Sequence, residues 1–245
     1  MTRGLGASWL RTFLLQASFN FDRMVGIGWA WAAEPILRAL PGGRGGEAYH
    51  GAMRRATRFF NAHPYLAGMA VGAVARAEHE GLPPDKVERL RQALIGPLGS
   101  VGDKLIWAGV LPASVGLGLL VAALVSPVAG AVVFFVGYNA VHLPLRWWAL
   151  REGWRRGADV SGALTAGGIK RGMRLLGPFG ALLVGIAIPV LGGWLARDYV
   201  LETKLSIALV GALGVAFARW ILPAFRGLRF GLVAAAVALL VGWLS

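Results

Sequence analysis

Cysteine is absent from the 245 residues, which excludes disulfides, thiolate metal sites and phosphocysteine. Charge is scarce too: Asp, Glu, Lys and Arg make up 15% of the chain, against roughly 25% in soluble domains. Hydrophobic residues make up 56% and mean hydropathy is +0.60, so an ordinary soluble domain is excluded and an integral membrane protein expected. Acid is the scarcer sign, with 12 Asp and Glu against 25 Lys and Arg and a net charge of +13. Nucleic-acid binding would need a soluble basic face. Here the cations flank apolar stretches, as positive-inside topology requires, so no nucleic acid is expected. The opening MTRGLGASWLRTFLL lacks the charged, apolar and small-residue order of a cleaved signal. Walker loops and nucleophile elbows are missing. His50, His63, His79 and His142 show no metal-ligand spacing with carboxylates. Neither catalysis, metal nor cofactor is expected.

What the chain does have is a run of 41 residues, Leu105 to Leu145, with no Asp, Glu, Lys or Arg. Leading into it is LIGPLGSVGDK, Leu94 to Lys104, with Gly96, Gly99 and Gly102 three apart and Pro97 among them. Glycine permits unusual backbone and proline removes a donor, so this stretch is expected to be a non-regular loop. About five apolar spans follow, at about 105–125, 128–145, 175–196, 205–225 and 229–245, close to the roughly 20 residues a bilayer core needs. The domain reading is therefore an N-terminal helical region, 1–104, with amphipathic and re-entrant or interfacial segments, then a transmembrane region, 105–245. The connection holding Arg151, Arg155, Arg156, Lys170, Arg171 and Arg174 is cationic, and its neighbours are neutral. That alternation places the N-terminal region in the cytoplasm and the C-terminus outside.

In the N-terminal half, Thr12, Gln16, Asn20 and Arg23 recur at i, i+4, i+8 and i+11. That spacing lines them on one helical face, which either meets water or forms a buried polar seam. From Glu47 to Asn61, Tyr49, Met53, Ala56 and Phe60 form an apolar stripe opposite His50, Arg54 and Arg58. Such a helix suits an anionic membrane surface or is simply solvated on its basic side. Asp103 either caps the next helix or faces a site, where both oxygens of an ionised carboxylate can accept from sugar hydroxyls. Lys104 is a salt-bridge partner or a snorkelling residue, Arg146 can simply snorkel, and Arg219, well inside its span, needs a protein partner or a strong tilt. The six residues Leu94 to Gly99 are echoed by Leu175 to Gly180, a faint internal repeat.

Five stretches together resemble one family: Gln16–Met24 (QASFNFDRM), Arg58–Tyr65 (RFFNAHPY), Gly96–Asp103 (GPLGSVGD), Phe134–Asn139 (FFVGYN) and Arg146–Trp148 (RWW). In this order they are similar to enzyme IID, a membrane subunit of the mannose/fructose/sorbose family of the bacterial sugar phosphotransferase system. The resemblance implies an all-α protein of the bacterial inner membrane that joins a IIC subunit to translocate sugar, in a higher oligomer of IIC–IID pairs. Separate IIA and IIB units would carry the phosphoryl group, and this chain would not be phosphorylated. The implied partners are IIC, IIB and IIA, membrane lipids and a sugar of the mannose/fructose class. Carried over motif by motif, Asn61 and Asp103 are the first substrate-binding candidates, with Gln16, Asn20 and Arg23 next. Where the family has Ser or Pro after the Asp, this chain has Lys104; where it has Arg before the next Pro, this chain has Leu111. Another family Arg is replaced by His142. Positions 104 and 111 are i and i+7, so Lys104 is read as a replacement cation on the same helical face. These departures also suit a diverged regulatory or sensory subunit of an incomplete phosphotransferase system.

Overall fold

The computed structural model describes residues 4 to 214, apart from 165, 166, 196, 204, 207, 208 and 212. The expected spans at about 205–225 and 229–245 lie mostly or wholly outside the described residues, as does Arg219. The described chain is all-α. In order it forms α1 (Leu5–Arg11), α2 (Gly26–Leu37), α3 (Glu47–Ala56), α4 (Ala67–His79), α5 (Pro84–Gly102), a π-helical segment (Asp103–Val110), α6 (Leu111–Leu124), α7 (Pro127–Arg156), α8 (Ser161–Leu164) and α9 (Gly167–Leu195). Three helical runs among the described residues are long and apolar enough to cross a membrane: Pro84–Leu124, Pro127–Leu164 and Gly167–Gly192. Residues up to Leu191 form one compact unit and those from Gly192 a second. Within the second unit, Arg197 pairs with Asp198 at 3.5 Å and lies 5.3 Å from the ring of Trp194.

The first unit is built around α4. Its sequence, AGMAVGAVARAEH, is so rich in Ala and Gly that neighbouring backbones can reach it, and residues 67 to 75 are all buried. Against it runs α7 in backbone contact. A side chain at Gly72 would lie 2.5 Å from Trp154 N, and one at Gly153 would lie 2.8 Å from Met69 C and closer still to its carbonyl oxygen. This is the small-residue packing that holds helices together in lipid, where burial of apolar surface gives little driving force. Ser126 caps α7, its hydroxyl accepting from Ala129 N at 3.1 Å, with Pro127 in the first turn.

Three sequence expectations change. The stretch Leu94–Lys104 is not a loop: α5, the π segment and α6 form one helical run of 41 residues, and the expected domain boundary at residue 104 falls inside it. Gly and Pro are tolerated in a long membrane helix because neighbouring groups satisfy the freed backbone. The irregularity instead appears as the π turns from Asp103, directly before Pro112, which cannot return an N–H to the preceding turn. A second change concerns residues 8–40. The chain leaves the helix after Arg11, makes a 3₁₀ turn at Thr12–Leu14 and several tight turns, and becomes helical again only at Gly26. Thr12, Gln16, Asn20 and Arg23 therefore do not share one helical face. Thirdly, α3 ends at Ala56, and its Arg55 turns inward onto Glu78 at 2.9 and 2.6 Å, so its basic face is only partly free.

Candidate functional site

The five stretches singled out in the sequence meet in space. Phe60 is the hinge of the first two. Its N–H donates to the Arg23 carbonyl (3.2 Å), its carbonyl accepts from Val25 N (3.1 Å), and its buried ring lies 5.5 Å from that of Trp29. Met24 supplies the bend, with φ at 51°, a conformation L side chains seldom adopt. Gly26 makes the approach possible, since a Cβ there would strike the Arg58 carbonyl. On the other side Arg91, 2% exposed, donates from Nη1 to the carbonyls of Phe59 (2.8 Å) and Arg58 (3.3 Å) while Glu88 holds its other nitrogens at 2.6 and 3.2 Å.

His63 joins the second stretch to the third. It is buried, with its imidazole 5.5 Å from the ring of Trp107 and 5.0 Å from Tyr65, and it fills the space that a side chain at Gly102 would occupy. Burial, opposed by the Asp103 carboxylate and aided by the Arg146 guanidinium, lowers the His63 pKa to about 4. His63 is therefore neutral near pH 7. Its Nε2 is buried without a partner among the described residues.

Tyr65 connects to the last two stretches. Its hydroxyl lies 2.7 Å from that of Tyr138, its ring stacks on His142 at 4.6 Å, and the Arg146 guanidinium sits 4.5 Å from it. Arg146 does not snorkel. It is 6% exposed, donates to the Thr12 carbonyl at 2.6 Å and is enclosed between Phe13 (4.7 Å) and Tyr65. Among the described residues no carboxylate pairs with it, so aromatic faces and a carbonyl compensate the buried cation. His142 is likewise buried in this ring cluster.

The sequence-predicted site residues divide accordingly. Asn61 is exposed although it stands between buried Phe60 and buried Ala62 and His63, so its backbone is fixed on both sides. Asp103 is exposed and helical (φ −61°, ψ −45°), with no capping hydrogen bond, which removes the helix-cap reading. It is close enough for its charge to act on His63. Gln16 and Arg23 are exposed on the turns, and Arg23 contributes its carbonyl to Phe60. Asn20 spends its side chain on the turn itself, accepting from Arg23 N at 2.9 Å and donating to the Ser18 carbonyl at 3.1 Å. Lys104 is exposed, but the intervening π turns wind more residues per turn than an α-helix, so residues 104 and 111 do not return to one face.

Sequence reasoning missed Arg91 and the tyrosine pair. A signal for Arg91 exists: Val87, Arg91, Leu94 and Leu98 follow helical spacing, which puts a cation on the buried stripe. Tyr65 and Tyr138 are 73 residues apart, and nothing local pairs them. A shallow groove of about 590 Å³ runs over Arg58, Phe59, Glu88, Arg91, Gln92, Ile95 and Gly96.

Comparison with known proteins agrees with the five stretches. The chain is 32% identical over 166 residues to the sorbose-specific EIID component of Klebsiella pneumoniae, covering 65% of this chain and 60% of that protein. It is 31% identical over 184 residues to the mannose-specific EIID component of Escherichia coli K12 (71% and 64% covered). With the fructose permease IID component of Bacillus subtilis the identity is 30% over 186 residues (71% and 66%). It thus spans 60 to 66% of the length of these relatives. The fold is similar to that in a cryo-EM structure of the mannose transporter ManYZ with microcin E492, with a TM-score of 0.59 at 23% identity, covering 98% of this chain and 95% of that one. A second solved membrane protein matches with a TM-score of 0.66 at 25% identity, over 75% of this chain and 68% of its own. The profile of the phosphotransferase-system mannose/fructose/sorbose family IID component matches residues 2–192, and the chain belongs to that family.

Proposed function

We propose that the chain is the non-catalytic IID subunit of a sugar-translocating complex, working with a IIC membrane subunit while IIA and IIB units supply the phosphoryl group. The sugar is of the class named for its relatives, which are specific for sorbose, mannose or fructose. The observation that carries this reading is the convergence of the turns at 16–24, the segment 58–65 and the helix 96–103, which leaves Asn61, Gln16, Arg23 and Asp103 exposed on fixed backbone. Amide and carboxylate groups on such a frame can hold several hydroxyls at once. The protein sits in the bacterial inner membrane with its N-terminal region cytoplasmic and its C-terminus outside, and IIC–IID pairs assemble into a higher oligomer. Phosphoryl transfer is left to the partner units.

The test is co-purification with a IIC subunit from the same cells, together with uptake of mannose, fructose and sorbose in a strain lacking the chain. Loss of uptake with retained IIC supports the subunit role. Normal uptake without the chain refutes it, and uptake unchanged by loss of the chain together with altered sugar-dependent gene expression favours a sensory role.

A further inference from the structure

We propose that Arg91 is a positioning residue for sugar binding, which rests on the functional reading above. It lies in the same helical run as Asp103 but in a different segment from Asn61, Gln16 and Arg23, and its role follows from where its donors point. One nitrogen, Nη1, serves the consecutive carbonyls of Arg58 and Phe59, and the remaining fork is closed by Glu88. The Arg58 carbonyl also lies hard against Gly26, where an added Cβ would strike it. The two residues just before Phe60 are thus clamped between the start of α2 and the middle of α5. Phe60 itself is tied to Arg23 and Val25, and His63 is seated against Gly102. Asn61 is exposed in this clamped segment, as are Arg58 and Phe59, and it is the one that stands between residues with buried side chains, Phe60 and Ala62. The hydrogen bonds before it fix the direction in which its side chain leaves the protein, and the same bonds fix the turn that carries Arg23.

The Arg58 and Phe59 carbonyls and the Glu88 carboxylate use this donor, and a buried arginine is a costly way to supply one. The site is on the buried stripe of α5 between Val87 and Leu94, where an apolar residue would pack without desolvating a charge. What the guanidinium adds is a planar fork that grips the Glu88 carboxylate through Nε and Nη2 while Nη1 serves two carbonyls, four contacts that the three N–H groups of a lysine cannot match. Preorganising a binding group in this way improves affinity by removing the cost of ordering it on binding.

The test compares Arg91→Met, Arg91→Lys and Asn61→Ala in cells making the full chain with its IIC partner, using mannose and fructose uptake normalised to assembled complex. Arg91→Met is expected to raise KM about three- to tenfold, the equivalent of one net hydrogen bond of fixed geometry, with Vmax per complex unchanged. Arg91→Lys is expected to fall between wild type and Arg91→Met. Amide hydrogen exchange in the purified complex should accelerate over residues 57–63 in both variants. Wild-type KM in Arg91→Lys overturns the inference, including where Arg91→Met fails to assemble. So does a KM unchanged in Arg91→Met. If Asn61→Ala raises KM and the Arg91 variants do not, only the Arg91 inference fails. If none of the three moves KM, the functional reading of this site fails with it.

Discussion

Gly153→Ala is the sharpest test of the packing that brings the site together. In an exposed helix the change would stabilise by about 1 kcal/mol, because glycine is the poorer helix former. At residue 153 the new methyl would lie 2.8 Å from Met69 C and nearer its oxygen, whereas an ordinary contact begins at 3.4 Å. α4 and α7 would have to separate by more than half an ångström, and the obstacle is backbone, which cannot rotate away as a side chain can. Forced repacking of this kind costs about 1–3 kcal/mol, and against backbone this close the upper part, about 2–3 kcal/mol, applies, so the net effect is destabilisation by about 1–2 kcal/mol after the helix gain is subtracted. For a chain of this length that lowers the apparent Tm by about 2–8 °C. The assay is thermal unfolding of the purified chain in detergent, beside Gly99→Ala, whose added methyl meets nothing within 4 Å and should hold or raise Tm. A Tm unchanged or raised in Gly153→Ala, or an equal fall in both variants, would refute the claim of backbone contact.

Three further outcomes are expected. His63→Gln should flatten the pH dependence of stability between 6.5 and about 4. In the wild type the unfolded His63 takes up a proton in that window and the folded one does not, so stability falls as pH falls; parallel melting profiles at pH 7.5 and 5 would disprove this. Glu34→Gln should act at lower pH. Burial raises the Glu34 pKa, but its hydrogen bonds and ion pairs with Arg44 and Arg11 (2.7 and 2.8 Å) outweigh burial and hold it below 4.5. The carboxylate therefore contributes stability above that pH which is lost on acidification, and the variant should lack the contribution, as acid titration of the folded chain would show. Asp103→Asn should weaken sugar binding by the complex about tenfold or more while leaving its assembly with IIC intact, since the side chain is exposed and caps nothing; equal binding by equilibrium dialysis would remove Asp103 from the site.

The relation between sequence and site is instructive at Asn61 and Asp103. Both were visible as polar residues within ordered motifs. What could not be read was the backbone beneath them. LIGPLGSVGDK has the composition of a loop, yet it is helical because a long helix in lipid keeps its hydrogen bonds within the segment, and Gly102 is there to admit His63 rather than to break the helix. The i, i+4, i+8 spacing of Thr12, Gln16 and Asn20 looked like a helical face, but the chain turns there because Phe60 captures the backbone at Arg23 and Val25, a pairing from more than thirty residues away.

By itself, the sequence determined the environment and the kind of chain: scarce charge, long uncharged runs and flanking cations dictate membrane helices, because ionised groups and open backbone are costly in lipid. It also displayed the five motifs. Only the tertiary structure decided that these motifs share one place, that Arg146 is enclosed between aromatic rings instead of reaching for water, and that Arg91 clamps the segment carrying Asn61. Those facts depend on contacts between residues distant in the chain, which no local periodicity encodes.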